Sequence, residues 1–88
     1  MQHFNLKILG KVQGVFFREG AREKANEFNI TGFIKNLSDG TVYAEVEGKL
    51  DDLEKFIEWC HKGPEGAKIE KVKVEEEGLE NFNEFRVE

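Results

Sequence analysis

The sequence has one cysteine, one proline and no long apolar run, and these shortages exclude several classes of protein. Cys60 has no second cysteine to pair with, so an internal disulfide is excluded and export to an oxidising compartment is unsupported. The apolar run at the start is short and is interrupted by Asn5 and Lys7, unlike that of a signal peptide. No stretch approaches the ~20 apolar residues that a membrane-spanning helix needs. We therefore expect a cytoplasmic protein with no membrane partner.

Positive charge is scarce as well. The 13 Lys and Arg residues are outnumbered by 18 Asp and Glu, which gives a net charge of −5 in 88 residues. An acidic domain does not attract a nucleic-acid backbone through its overall field, so we expect no nucleic-acid partner. A chain of this length predicts a single domain, residues 1–88, and the absence of an obvious apolar seam favours a monomer.

Potential metal ligands are too sparse for a metal site. His3 and His61 lie far apart in the sequence, and neither has a cysteine or carboxylate at ligand spacing. We predict no metal and interpret both histidines as surface residues. Cys60 falls on an apolar helical stripe, so we interpret it as a core residue rather than a nucleophile.

Period-two alternation of apolar and polar residues predicts three strands, and the extended run GFIKNL, which Gly32 opens, predicts a further strand that is the second in the chain. The apolar, inward positions are Phe4, Leu6, Ile8 and Val12 in the first strand, Val42, Ala44 and Val46 in the third, and Val72 and Val74 in the fourth. The turn signal Ser38-Asp39-Gly40 joins the second and third strands in a hairpin whose outer face is polar. A short fifth strand is possible at Phe85 and Val87.

Two helices are predicted from apolar residues that recur three and four positions apart. Their buried stripes are Phe17, Ala21, Ala25 and Phe28 in the first helix, and Leu50, Leu53, Phe56, Ile57 and Cys60 in the second. Asp51, with Glu54 three residues later, is predicted to cap the second helix. The order β-α-β-β-α-β predicts an α+β fold, a ferredoxin-like sandwich of an antiparallel sheet with both helices on one face. Because such folds serve enzymes, RNA binders, metal carriers and regulatory domains, function has to be argued from a site.

A candidate anion site lies between the first strand and the first helix. Gln13-Gly14-Val15-Phe16 forms a short turn in which Gly14 permits a positive φ, so consecutive amides can face one concavity. The helix start adds unpaired N–H groups and its positive dipole end. Arg18 stands at the rim with a planar fork of donors suited to phosphate. On residue types alone, a plain turn at Gly14 and a solvated Arg18 are the simpler interpretation.

No nucleotide-binding motif accompanies this turn, since neither G-x-x-x-x-G-K-[ST] nor G-x-G-x-x-G occurs, and we predict no cofactor. Residues 10–18, GKVQGVFFR, nevertheless resemble the signature G-x-V-Q-G-V-x-F-R of the acylphosphatase family. Residues 32–40, GFIKNLSDG, resemble the second signature of that family, G-[FYW]-V-x-N-x-x-[DG]-G, with Ile34 in place of Val. Residues 59–67 resemble its W-x-x-x-G-P-x-x-A loop. The resemblance covers essentially the whole chain and agrees with the predicted order of strands and helices.

Acylphosphatases hydrolyse acyl phosphates, the mixed anhydrides of a carboxylic acid and phosphate. The resemblance implies that Arg18 binds the phosphoryl oxygens and that Asn36 holds the attacking water in line with the leaving carboxylate. It also implies a phosphate-binding loop formed by the main-chain amides of Gln13, Gly14, Val15, Phe16 and Phe17. A small-molecule acyl phosphate is then the expected partner. For Lys11 and Lys35 two interpretations stay open, added positive potential near the mouth of the site or simple solvation; most surface lysines are solvated, so both are left out of the site.

Three hypotheses stay open from the sequence. The chain is an acylphosphatase, a module that binds an acyl or carbamoyl phosphate or regulates a partner without turnover, or an RNA-binding domain. The enzyme is favoured because the chain has no cysteine-rich or kinase-like extension. An RNA-binding sheet presents exposed aromatic rings and a basic face. The predicted outer face carries one Tyr and two Glu on its third strand, which is a poor platform for stacking bases.

Overall fold

The computed structural model describes residues 1–88, which form five strands and two helices. The strands are β1 (Gln2–Lys11), β2 (Thr31–Asn36), β3 (Val42–Gly48), β4 (Lys68–Glu77) and β5 (Phe85–Val87), and the helices are α1 (Phe17–Glu27) and α2 (Leu50–Lys62). The order of strands and helices predicted from periodicity is confirmed, and the possible fifth strand is present. The fold is the expected ferredoxin-like α+β sandwich.

The strands form one sheet in the order β4-β1-β3-β2-β5. β3 pairs antiparallel with both β1 and β2, so β1 and β2 run in the same direction on either side of it. Their carboxyl ends, at Lys11 and Asn36, consequently lie at the same edge of the sheet. β5 pairs parallel with β2, which makes the sheet mixed. The antiparallel sheet predicted from the sequence therefore holds for the first four strands only.

One hydrophobic core joins the sheet to both helices. Its strand members include Leu6, Ile8, Ile34, Val42, Ala44 and Val46, and its helix members are Phe17, Ala21, Ala25, Leu53, Phe56 and Cys60. Both helices therefore cover the same face of the sheet, as predicted. Full burial of a side chain as large as that of Phe17 or Phe56 contributes about 1.5–3 kcal/mol, so these two rings help to anchor the helices.

Details at the margins of the core differ from the prediction. The N-cap of α2 is Lys49 and no side chain caps the helix, so the capping box assigned to Asp51 and Glu54 is wrong. Asp51 lies inside the first turn instead, where its charge faces the positive end of the helix dipole. Leu50 is 44% exposed because it lies at the margin of the buried stripe, and Val74 is 41% exposed because β4 is an edge strand.

His3 is buried, and its interpretation as a surface residue is wrong. Its side chain is 1% exposed, Nδ1 donates to Oε2 of Glu47 at 2.8 Å, and Nε2 donates to Oδ1 of Asn5 at 2.6 Å. Glu47 is only 3% exposed and also accepts hydrogen bonds from the main-chain N–H groups of Glu80 and Phe82. The segment after β4 thus folds over the outer face of the sheet, part of which the period-two pattern had placed in solvent.

The surroundings of the buried pair shift both pKa values towards the charged forms. Burial lowers the pKa of His3, but its two hydrogen bonds and the negative charges of Glu47 and Glu45 outweigh that effect, so the pKa is raised. Burial also raises the pKa of Glu47, but the hydrogen bonds that its carboxylate accepts outweigh this, and its pKa is lowered. An imidazolium at His3 satisfies both oxygen acceptors that face the ring.

Candidate active site

A cavity of about 280 Å³ opens at the sheet edge where β1 and β2 end. It is lined by Val12, Gly14, Phe16, Phe17, Arg18, Glu19 and Asn36. Arg18 and Asn36, the two residues to which the sequence assigned catalytic roles, therefore line one cavity although they belong to different elements. The topology explains why they meet, since β1 leads into the loop before α1 and β2 ends at the same edge.

Arg18 lies in the first turn of α1 and is half-buried. Its Nη1 donates to the main-chain oxygen of Glu88 at 2.8 Å, and the N–H of Glu88 donates to the carbonyl of Ile34 at 2.8 Å. The residue after β5 therefore holds one side of the guanidinium in place. Arg18 forms no ion pair with a side-chain carboxylate. Its other N–H donors can bind an anion.

The loop between β1 and α1 presents main-chain N–H groups that have no partner within the protein. Gly14 has a φ of 75° and Phe16 a φ of 63°, both in the left-handed region. No hydrogen bond within the protein has a main-chain N–H of residues 13–16 as its donor, and no side chain caps α1. Amides in such a turn, next to a helix N-terminus, form a positive concavity. The phosphate-binding loop predicted from the sequence has the donors it needs, and its role in binding stays a prediction.

The side chain of Gln13 contacts the β2–β3 turn rather than the cavity. Its Nε2 donates to the carbonyl of Leu37 at 2.8 Å and to that of Thr41 at 2.9 Å. The side chain of Val15 packs against the hydrophobic core. Neither residue lines the cavity, and their predicted contact with phosphate through main-chain amides stays a prediction.

Asn36 is the last residue of β2, and its exposed side chain makes no hydrogen bond within the protein. The turn that follows is well fixed, because Oδ1 of Asp39 accepts from the N–H of Thr41 at 3.0 Å and from its Oγ1 at 2.6 Å. These bonds from Thr41, and then Lys7 at 3.1 Å, lower the pKa of Asp39 to about 2. A carboxamide at the end of a fixed strand, with donor and acceptor both free, can orient a water molecule.

Two residues that line the cavity are absent from the predicted site. Val12 was assigned only to the core, but it also lines the cavity. Glu19 brings a carboxylate to the cavity, and its charge is partly offset by Arg22, whose Nη2 lies 2.6 Å from Oε2 of Glu19. Both residues could have been found from their positions in the sequence, since Val12 and Glu19 directly flank the segment from Gln13 to Arg18.

The other candidate groups lie outside the cavity. Cys60 is buried in the core, as predicted, and burial raises the pKa of its thiol, which disfavours the nucleophilic thiolate. No three His, Cys, Asp or Glu side chains are arranged so that they could hold a metal ion. Neither helix has the length and hydrophobicity that a membrane crossing requires. A larger open groove of about 540 Å³ lies between α1 and α2, lined by Lys24, Phe28, Lys55, Glu58, Trp59, His61 and Lys62.

The outer face of the sheet is a poor surface for stacking nucleic-acid bases. Phe33 is the aromatic residue that β2 presents there, and its ring centroid lies 5.8 Å from that of Phe82 in an edge-on arrangement. Its other neighbour is Tyr43, at 6.1 Å. Because protein side chains already pack against Phe33, the RNA-binding hypothesis gains no support from this face.

Comparisons with known proteins point to one family and to the same fold. The family model described as Acylphosphatase matches residues 4–87. An acylphosphatase of Pyrobaculum islandicum is 47% identical over 85 residues, which cover 94% of this chain and 90% of the relative. One of Rubrobacter xylanophilus is 46% identical over 70 residues, which cover 80% of this chain and only 64% of the relative. The solved structure of an acylphosphatase from Coxiella burnetii has a TM-score of 0.96 and 41% identity, and covers 99% of this chain and 92% of that one.

Proposed function

The chain belongs to the acylphosphatase family, and we propose on that basis that it hydrolyses the carboxyl–phosphate bond of acyl phosphates to a carboxylate and inorganic phosphate. The observation that carries this proposal is the single cavity lined by Arg18, Asn36 and the loop at Gly14. A cation, a water-orienting amide and a set of unpaired N–H donors around one space are the parts that this reaction needs.

Arg18 and the loop amides bind the phosphoryl group in this mechanism. Phosphoryl transfer passes through a loose transition state whose charge is spread over the equatorial oxygens, so positioning and charge stabilisation provide most of the catalysis. Arg18 supplies a positive charge that is not engaged in an ion pair with any side-chain carboxylate. The amides of the loop supply dipoles that are already oriented before the substrate arrives.

Asn36 orients the attacking water towards phosphorus. The water oxygen forms a bond to phosphorus, and the bond between phosphorus and the acyl oxygen breaks, with its electron pair leaving on the carboxylate. A carboxylate is a good leaving group, so the reaction needs no strong general acid. The proton of the water passes to an oxygen of the substrate phosphate. Because Asn36 is neutral, it orients water without repelling the anionic substrate, as an aspartate would.

Metal independence, a monomeric state and a cytoplasmic location are part of the same proposal. Arg18 and the loop amides supply the positive charge that a metal ion would otherwise provide, so the reaction proceeds without metal or cofactor. We propose that residues 1–88 act as one domain, since one hydrophobic core joins the sheet to both helices, and as a monomer, since the sequence has no obvious apolar seam. A cytoplasmic location rests on the single cysteine.

Hydrolysis of benzoyl phosphate in heavy-oxygen water, with EDTA present, tests the proposed function. Attack at phosphorus predicts that inorganic phosphate is released and that it alone carries the heavy oxygen. Label in benzoate would show attack at the carbonyl carbon and would contradict the role of Asn36. Absence of phosphate release would leave the binding module as the better interpretation.

A further inference from the structure

Phe16 combines two features that are unusual for an aromatic residue. It is 81% exposed, more than any other large hydrophobic residue of the chain. It also has a φ of 63° and a ψ of 28°, the left-handed conformation that side chains other than Gly adopt only at a cost. The other two such residues are Asn29 and Asn81, and asparagine tolerates this conformation best. Neither packing nor backbone preference explains a phenylalanine here.

The position of Phe16 suggests a reason. Phe16 is the N-cap of α1, and it lines the cavity that holds Arg18 and Asn36. Its neighbour Phe17 is buried in the core, so two successive rings separate at the start of the helix, one into the core and one towards solvent. The cavity therefore has a polar part and an apolar wall, the latter formed by Phe16, Phe17 and Val12.

An acyl phosphate has the same two parts. In the proposed function Arg18, the loop amides and Asn36 account for the phosphoryl group and the water, but no group has yet been assigned to the acyl chain. The loop has a left-handed backbone at Gly14 and Phe16, and the exposed Phe16 ring lies beside the cavity. An exposed ring next to an anion site can cover an apolar group that enters with the phosphate.

We propose that the side chain of Phe16 forms the acyl-binding wall of the site and gives the enzyme a preference for acyl phosphates with an aromatic or extended apolar acyl group. This inference rests on the proposed function and adds the class of substrate to it. A benzoyl group buries apolar surface against the ring in the bound state and in the transition state, whereas an acetyl group has little surface to bury.

The test compares kcat/KM for benzoyl phosphate with kcat/KM for acetyl phosphate in the parent and in Phe16→Asn. Asparagine keeps the left-handed backbone of the loop and removes the ring. A change at the phosphoryl site lowers kcat/KM for both substrates by the same factor, so it cancels in the ratio of the two constants. We expect the ratio to fall about tenfold, the factor that burial of roughly 55 Å² of apolar surface provides. Phe16→Leu should give an intermediate ratio, and it keeps the test usable if Phe16→Asn folds poorly.

Leu79→Asn is the matched control, because Leu79 is also an exposed apolar residue but lies outside the cavity, and its ratio should equal that of the parent. An unchanged ratio in Phe16→Asn and Phe16→Leu would overturn the inference while leaving the proposed function intact. Equal losses on both substrates would also overturn it, since they would assign Phe16 to loop geometry alone. A parent protein that hydrolyses neither substrate would overturn the proposed function itself.

Discussion

The side-chain amide of Gln13 donates a hydrogen bond to the main-chain carbonyl of Leu37, with 2.8 Å between nitrogen and oxygen. A second bond from the same nitrogen reaches the carbonyl of Thr41 at 2.9 Å. Gln13 belongs to the loop with the unpaired amides, and Leu37 directly follows Asn36. One side chain therefore joins the segment proposed to bind phosphate to the segment proposed to orient water.

Gln13→Leu should weaken both the fold and the reaction. The two hydrogen bonds are worth about 1 kcal/mol each, so we expect the free energy of unfolding in urea to fall by roughly 1–2 kcal/mol. Loss of the link should also misplace the loop relative to Asn36 and reduce kcat for benzoyl phosphate about tenfold. Gln2→Leu is the control, because Gln2 makes one exposed hydrogen bond far from the cavity. A stability loss with unchanged kcat would limit Gln13 to a structural role.

Asn36→Ala should lower turnover much more than it lowers phosphate affinity. Removal of the amide leaves Arg18 and the loop donors in place but leaves the water without its partner. We expect kcat for benzoyl phosphate to fall about a hundredfold, while the inhibition constant of inorganic phosphate changes less than about threefold. Equal changes in the two constants would assign Asn36 to binding instead of water orientation.

The buried pair of His3 and Glu47 predicts a maximum of stability at mildly acidic pH. The raised pKa of His3 stabilises the fold below pH 6.5, and that contribution is lost as pH rises through the pKa of the folded state. The lowered pKa of Glu47 stabilises the fold above pH 4.5, and that contribution is lost as pH falls through its folded-state pKa. The pair should therefore contribute most between pH 4.5 and 6.5.

Glu47→Gln tests this dependence through urea denaturation at two pH values. At a pH of about 5.5 the variant should lose about 3 kcal/mol, because the buried imidazolium loses its nearest counter-charge and keeps only that of Glu45, at 3.3 Å. At a higher pH, of about 8.5, the loss should be smaller, because the contribution of His3 declines as pH rises through its raised folded-state pKa. Glu75→Gln, an exposed carboxylate on β4, should show neither effect. A loss that is equal at both pH values would show that Glu47 acts only as an acceptor for the segment after β4.

Most of the fold was predictable because its elements are patterned locally. The alternation around Leu6 and Ile8 and the helical stripe of Phe17, Ala21 and Ala25 each report which face of one element is buried. The burial of His3 was not predictable in this way. The period-two alternation of β1 places the side chain of His3 on the outer face of the sheet. It does not indicate that a segment distant in the chain covers that face and donates hydrogen bonds to Glu47, the partner of His3.

The candidate site, like the fold, was only partly predictable from local patterns in the sequence. Arg18, Asn36 and the loop at Gly14 were identified from two short motifs, and the sheet topology then brings them to one cavity. The contact of the Gln13 side chain with Leu37 and the hydrogen bond of Arg18 to Glu88 join residues far apart in the sequence, so no local pattern reports them. The left-handed Phe16 was also missed, since residue type favours this conformation at Gly and Asn rather than at Phe.

Release of inorganic phosphate from benzoyl phosphate by the parent protein and by Arg18→Ala, both with EDTA present, tests the central proposal most directly. Arg86→Ala serves as the control, because Arg86 is an exposed arginine outside the cavity. We predict that the parent and Arg86→Ala release phosphate without metal. Arg18→Ala should lose about a thousandfold in turnover while it still unfolds cooperatively. Near-parental turnover by Arg18→Ala would contradict the assignment of the cavity as the phosphoryl-binding site.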